Sequence, residues 1–317
     1  MRIHVDTDIA GDPDDVAALC YLLARPDVEL TGVTTVDDPG GLRAGYAVEV
    51  LRMAGRHDVR VAAGAEVSSA TGRPSGGPPP GDRHYWPTAV RPRPGPLEAA
   101  VDLLARSVAA GAVVLGIGPA TTLAAAERAR SGLLAGTHVV LMGGFLAPPA
   151  AGLPQWSAAD DWNVVCDVPA AVAVRRAAGR LTVVPLAATA QAHLRARVLP
   201  RLRAIGPLGE LMARQAASYR DDEDKAGLAT THDRLPDDLA NFHHDPLAAA
   251  VAAGWDGVTV ERRRLRTDPD DPWGRLEDVT TGGRDVDLVT GVDGPAFGEH
   301  WLATVEAPGP LMTQRSR

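Results

Sequence analysis

Ile3-His4-Val5-Asp6-Thr7-Asp8-Ile9-Ala10-Gly11-Asp12-Pro13-Asp14-Asp15-Val16-Ala17-Ala18-Leu19 is the stretch on which the fold turns. Residues 3–5 form a short apolar strand that runs into acids, and residues 16–24 read as a helix stopped before Pro26. The ten residues between Asp6 and Asp15 carry five carboxylates. Like charges this close repel, and their pKa values rise unless a cation neutralises them. A charge run is ordinarily a solvated face. Here the acids follow a strand and share the loop with Gly11 and Pro13, which points to a cation held by hard oxygen ligands, calcium or magnesium. An EF-hand does not fit, because the preceding element is a strand and no Glu closes the loop. A phosphatase built on Asp6 and Asp8 leaves the second acidic pair, Asp14 and Asp15, unexplained.

Strand and helix alternate outward from this loop. Residues 30–36, 113–115, 139–142 and 181–184 are β-branched or apolar and read as strands. Residues 42–54 have helical spacing, with Leu42, Tyr46, Val50 and Met53 on one face, and residues 121–129 read as another helix. The alternation predicts the α/β class, with a mostly parallel, Rossmann-like central sheet and helices on both faces. Such sheets bind ligands beyond the C-terminal ends of their strands. That rule singles out Asp6 and Asp8, residues 34–38, residues 116–119, and Gly143-Gly144. With no internal repeat and no clear boundary, residues 1–317 read as one domain. Two long polar segments, near 68–96 and 267–285, read as flexible loops or lids. In the first, His84-Tyr85-Trp86 is as well placed to anchor the loop as to contact a substrate.

Composition narrows the function. The chain has 317 residues, 45% of them hydrophobic and 23% charged, as expected of a soluble globular protein with a sizeable core. A formal net charge of -8 disfavours binding to a nucleic-acid polymer and suits a metal cation or a neutral small substrate. Cys20 and Cys166 read as free thiols in a reducing compartment. No apolar run reaches the ~18 residues of a membrane span, and no signal peptide precedes the first strand, so the expectation is a cytoplasmic protein.

The order of motifs resembles the inosine-uridine nucleoside hydrolase family. Asp6-Thr7-Asp8, Gly11 and Asp14-Asp15 are similar to its Asp-x-Asp-x-Gly-x-Asp-Asp loop, in a longer form with Asp12 added. Thr34-Thr35-Val36 resembles the end of its second strand, and Gly118-Pro119-Ala120-Thr121-Thr122 its Gly-Pro-Leu-Thr-Asn turn. Val140-Leu141-Met142-Gly143-Gly144 resembles its Met-Gly-Gly strand end. Asp161-Trp162-Asn163, followed by Asp167 and Ala170-Ala171, resembles its Glu-Phe-Asn segment, and His244-Asp245-Pro246 its late His-Asp-Pro.

By position, the resemblance implies a Ca2+ ion held by Asp8, Asp15, the Ile117 carbonyl and Asp245. It implies substrate contacts from Asp161, Asn163 and Met142, with Asp38 and His84 as further candidates. Hydrolysis of an N-glycosidic bond passes through a ribose of oxocarbenium character, by analogy with glycosides. The ion positions a water and the ribose hydroxyls. Asp14 is the candidate general base, with Asp12 as the alternative. His244 is either the acid that protonates the departing base or a hydrogen-bonding partner of the site; His243 reads as structural or exposed. The implied partner is a small nucleoside, in purine or pyrimidine salvage, and the implied assembly is a homodimer or homotetramer. The sequence departs from the family at residues 36–40, which contain no Asn, and at Tyr46, near the place of a helical Asn. Those departures motivate a second reading, a calcium-dependent nucleoside- or sugar-binding protein without turnover. A magnesium-dependent phosphatase is the third.

Overall fold

Every residue of β1 (Arg2–Thr7) after the first is buried, His4 and Asp6 as much as Ile3 and Val5. A strand hidden on both faces belongs in the middle of a sheet, and β1 lies between two parallel neighbours. This is seen in a computed structural model, which describes residues 1–311 other than 11, 76–83, 269, 308 and 310. Gly11 and the central part of the 68–96 segment thus lie outside the described residues.

The first half of the chain continues α1 (Asp14–Ala24), β2 (Glu29–Thr35), α2 (Leu42–Met53), β3 (Val61–Ala62), α3 (Leu97–Ala109), β4 (Val113–Gly116), α4 (Thr121–Ala129) and β5 (His138–Met142). Then follow α5 (Trp162–Val165), α6 (Val168–Ala177), β6 (Arg180–Val184), α7 (Leu186–Thr189), β7 (His193–Arg195), α8 (Leu199–Ile205) and α9 (Pro207–Asp222). The chain ends α10 (Lys225–Thr230), β8 (Leu239–Phe242), α11 (His244–Ala252), β9 (Val258–Thr267), β10 (Leu276–Asp278), β11 (Arg284–Val292) and α12 (Gly294–Glu306). The main sheet has nine strands in the order β10-β9-β11-β6-β5-β4-β1-β2-β3, and β7 pairs with β8 apart from it. The run from β3 to β6, together with β11, is parallel; β9 and β10 are antiparallel. The sheet is therefore mostly parallel, as the alternation predicts.

Adjacent residues of one strand feed opposite cores. Leu115 and Val140 join a cluster with α1, α9, α11 and α12, whereas Val114 and Val139 join one with α3, α4 and α6. Helices thus cover both faces. The strand order reverses between β1 and β4, whose following helices α1 and α4 pack on opposite faces and leave a crevice at the strand ends. The acidic loop and the 116–119 turn sit at that crevice. No helix among the described residues is long and apolar enough to cross a membrane.

Residues 267–285 contain the short strand β10 and the start of β11, joined by turns and loop. Their arginines and acids hide the strand signal, because this edge faces solvent and only Leu265 and Leu276 along β9 and β10 are buried. In the 68–96 segment, Tyr85 and Trp86 are buried, and Trp86 stacks on Tyr46 of α2 at 4.3 Å between ring centroids. Residues 91–94 pack so tightly on α2 that a Cβ at Gly45 would lie 2.4 Å from the Arg91 carbonyl oxygen. These aromatics anchor the segment.

Candidate active site

Three carboxylates, Asp14 and Asp15 at the start of α1 and Asp245 at the start of α11, offer oxygens that all lie within 4.8 Å of one another. Each is at most 5% exposed. The backbone N–H of Asp245 donates to Asp14 Oδ2 at 3.1 Å, tying together segments 231 residues apart. Thr7 at the end of β1 donates its hydroxyl to Asp15. Burial raises all three carboxyls well above the ordinary value of 3.8, and repulsion among them and with Asp12 and Asp8 pushes the same way. An uncompensated cluster of this kind costs several kcal/mol per ion, by the ~20 kcal/mol idealised desolvation scale reduced for relaxation. A bound cation removes that cost, and an all-oxygen donor set suits a hard ion. The residues present therefore fit a metal.

Asp8 stands outside the tight trio, and its charge acts on Asp15 and Asp245. It lies against the β4 turn, where a Cβ at Gly118 would be 2.7 Å from Asp8 Oδ1, so glycine is required there. Beside it, the Ile117 carbonyl accepts the Asn163 amide at 3.2 Å, and the same amide reaches the Met142 carbonyl at 3.4 Å. Asp161 accepts the Gly144 N–H at 2.5 Å. Gly143, with φ 109°, leaves room for its other oxygen, which is buried without a partner. The ends of β1, β4 and β5 thus bring Asp8, Ile117, Met142, Asp161 and Asn163 to one wall.

Asp12 forms the opposite wall. Its Oδ1 accepts from Asn241 at 2.5 Å and from the Asp14 N–H at 3.1 Å, and its charge acts on Tyr219 of α9. His244 feels the Asp12 charge, shares a 2.7 Å hydrogen bond with Thr189, and packs between Phe242 and Trp156. Burial holds its imidazole down at about 4. His243 is buried against Trp301 and held down at about 3, also by burial, and is structural.

Three expected residues stand elsewhere. Asp38 uses both carboxylate oxygens on Thr35 at 2.7 Å and on the N–H groups of Arg43 and Ala44 at 2.7 and 2.9 Å, which caps α2. His84 is half-exposed and faces Asp222 at 3.8 Å. Asp6 is wholly buried and accepts from Thr34 at 2.5 Å, so the paired acids of an aspartyl phosphatase do not form.

Sequence reasoning missed Arg43 and Asp37. Arg43 is buried; it pairs with Asp37 at 3.5 Å, donates to the Asp37 carbonyl at 2.7 Å and to the Asp8 carbonyl, and draws the Asp8 carboxyl down against its burial. Nothing in helical spacing marks an arginine as inward-facing. The departure from the family at residues 36–40 was the available signal. Tyr219 and Asn241 had no signal at all.

The family model of inosine-uridine preferring nucleoside hydrolases matches residues 3–299. The chain belongs to that family. It is accordingly an enzyme, an N-glycosyl hydrolase, and the family reaction is hydrolysis of ribonucleosides. The chain is similar to a pyrimidine-specific ribonucleoside hydrolase, RihA, of Shewanella baltica, at 28% identity over 232 residues, covering 67% of this chain and 68% of the relative. An uncharacterised protein of Schizosaccharomyces pombe is 28% identical over 239 residues, covering 69% of this chain and 73% of that protein. Among solved structures, the fold is shared with a purine-preferring ribonucleoside hydrolase from Gardnerella vaginalis, with a TM-score of 0.79 at 23% identity, covering 99% of this chain and 100% of that one. It is shared too with an inosine-uridine preferring nucleoside hydrolase from Bacillus anthracis, with a TM-score of 0.69 at 20% identity, covering 96% and 99%.

Proposed function

We propose that this nucleoside hydrolase cleaves the N-glycosidic bond of a ribonucleoside, or a related N-riboside, in a calcium-dependent reaction. The observation that carries the reading is the buried trio Asp14, Asp15 and Asp245 at the β1/β4 crevice. Asp8, Asp15, Asp245 and the Ile117 carbonyl would hold the calcium, with Asp14 beside it. Calcium supplies positive charge that acidifies a water and draws in ribose hydroxyls.

Asp14 is the better base. Burial and the neighbouring carboxylates raise its carboxyl, which makes the ionised form a stronger proton acceptor. The alternative, Asp12, already has an oxygen engaged by Asn241, and its acceptance of the Asp14 N–H fits an orienting role. Asp161 and Asn163 bind and orient the sugar from the opposite wall, over Met142. The anionic surroundings favour positive charge on the ribose. His244 rests unprotonated at neutral pH, so it serves as a hydrogen-bonding partner, and it could protonate the departing base only after taking up a proton from solvent. The described part of the 68–96 segment suits a rim to the site, with His84 at its outer edge. Cytoplasmic salvage and a homodimeric or homotetrameric assembly complete the proposal.

The test is ribose release from a panel of purine, pyrimidine and modified nucleosides, with calcium and with calcium chelated. Release that needs calcium is the expected result. Intact nucleoside recovered across the whole panel, from protein that still binds calcium, would overturn turnover and favour the binding-only reading.

A further inference from the structure

The C-terminal end of α6 packs over β6, β11, β9 and β10, and a cleft of about 420 Å³ opens between them. Of its ten lining residues, four are arginine (Arg175, Arg176, Arg266 and Arg284) and none is acidic. In a chain with 40 acidic and 32 basic side chains, an acid-free arginine cleft needs a cause. We propose that it binds a small organic oxyanion, a phosphate ester or carboxylate carrying an apolar body.

The lining arginines carry more positive charge than the protein compensates, which suits an anionic end of that ligand. Arg175 is 3% exposed and spends one donor on the Gly274 carbonyl at 2.8 Å. Arg284 donates to the carbonyls of Arg175 and Gly179 and so holds the end of α6 in place. The Nε groups of both arginines are buried without a partner. Buried polar groups are nearly always satisfied, and buried charges nearly always paired. Asp161 acts on Arg175 only through space, without an ion pair. Arg266 at the rim is already paired with Glu277 at 2.8 Å. Arg176 has no side-chain partner among the described residues and is the cation left to meet a ligand. Guanidinium groups present planar forks that match carboxylate and phosphate oxygens.

The floor accounts for the body of the ligand. Leu181, Leu265, Leu276 and Val286 line the cleft and are each at most 5% exposed. The volume falls in the range of about 300–1,000 Å³ usual for small-molecule sites. An inorganic anion alone would leave this floor uncovered. The acidic centre repels anions, so the two sites are told apart by the charge of what they bind.

Calorimetric titration of the full-length protein with phenyl phosphate and with benzoate is the test, with inorganic phosphate and benzyl alcohol as probes lacking the body or the charge. Saturable binding of an aromatic oxyanion is expected, at least tenfold tighter than either control. The better of the two head groups names the oxyanion. Arg176→Ala, on a side chain with no side-chain partner among the described residues, should weaken binding at least tenfold, and Asp14→Asn should leave it unchanged. Arg175→Met removes the buried charge behind the cleft and should weaken binding as well; should it fail to fold, Arg176→Ala still decides. Failure of both aromatic oxyanions to bind, undiminished binding to Arg176→Ala, equal binding of benzyl alcohol, or loss of binding in Asp14→Asn would each overturn the proposal. None of these outcomes depends on nucleoside turnover.

Discussion

Along the edge strands, Arg264 meets Asp285 at 3.0 Å and Arg263 meets Asp278 at 2.7 Å, on side chains between 35% and 50% exposed. At the β1/β4 crevice, Asp14, Asp15 and Asp245 crowd within 4.8 Å with almost no exposure. Both regions are dense in charge. In the first, opposite charges lie across neighbouring strands in water, where each pair contributes little and keeps an edge from sticking to another chain. In the second, like charges are gathered out of water. The fold tolerates that only if something else, a cation, completes the set. Charge that is paired and wet belongs to the scaffold; charge that is buried and unpaired marks a site.

Asp14→Asn breaks this comparison most severely. Removal of the proposed base should lower kcat by about 10²–10⁴-fold while leaving the fold intact, read by ribose release beside circular dichroism. A variant that kept near wild-type turnover would move the base to Asp12. Arg43→Met comes next. It strips the cation from Asp37 and from the Asp8 loop, and loss of one partner of a buried pair costs about 3–5 kcal/mol. Urea denaturation should report that loss, together with weaker calcium binding; unchanged stability would mean that the pair is idle.

A pH titration sharpens the comparison from another side. Burial holds His4 and His243 at about 3. Their folded pKa values lie below the unfolded value of 6.5, so the unfolded chain binds more protons between about pH 3 and 6.5. Stability is therefore present above 6.5 and falls as pH drops through that window, by about 1.4 kcal/mol per unit for each histidine. The buried carboxyls act in the opposite sense. With calcium removed, their raised pKa values make stability fall as pH rises above 3.8. Melting temperatures from pH 4 to 9, with and without calcium, should show calcium stabilising most at the alkaline end. A calcium effect independent of pH would separate the ion from this trio. The smallest effect is expected from Arg264→Ala at the edge, a loss of about 0.5 kcal/mol or less by urea denaturation.

The parallel half of the fold was legible because its strands are buried and apolar and its helices are periodic. β1, α1, β2, α2, β4, α4, β5 and β6 all fall within a residue or two of where the sequence places them. The edge was not legible. β9 reads Val-Thr-Val-Glu-Arg-Arg-Arg-Leu-Arg-Thr, and a strand with one buried position looks like a polar loop. Asp38 was singled out by its place after β2, yet the next turn of chain bends it into a cap, and Asp37, with φ 51°, takes the position beside Arg43.

By itself the sequence determined the layers, the acidic loop and the strand ends where a site must lie, since these follow from local pattern and from the geometry of parallel sheets. Only the tertiary structure decided which acids meet. Asp14 touches Asp245 because α11 packs along α1, 231 residues away, and Asn241, Tyr219 and Arg43 turn inward for the same reason. Packing of distant helices fixes side-chain neighbours over a few ångströms, and no local pattern along one chain encodes a distance of that kind.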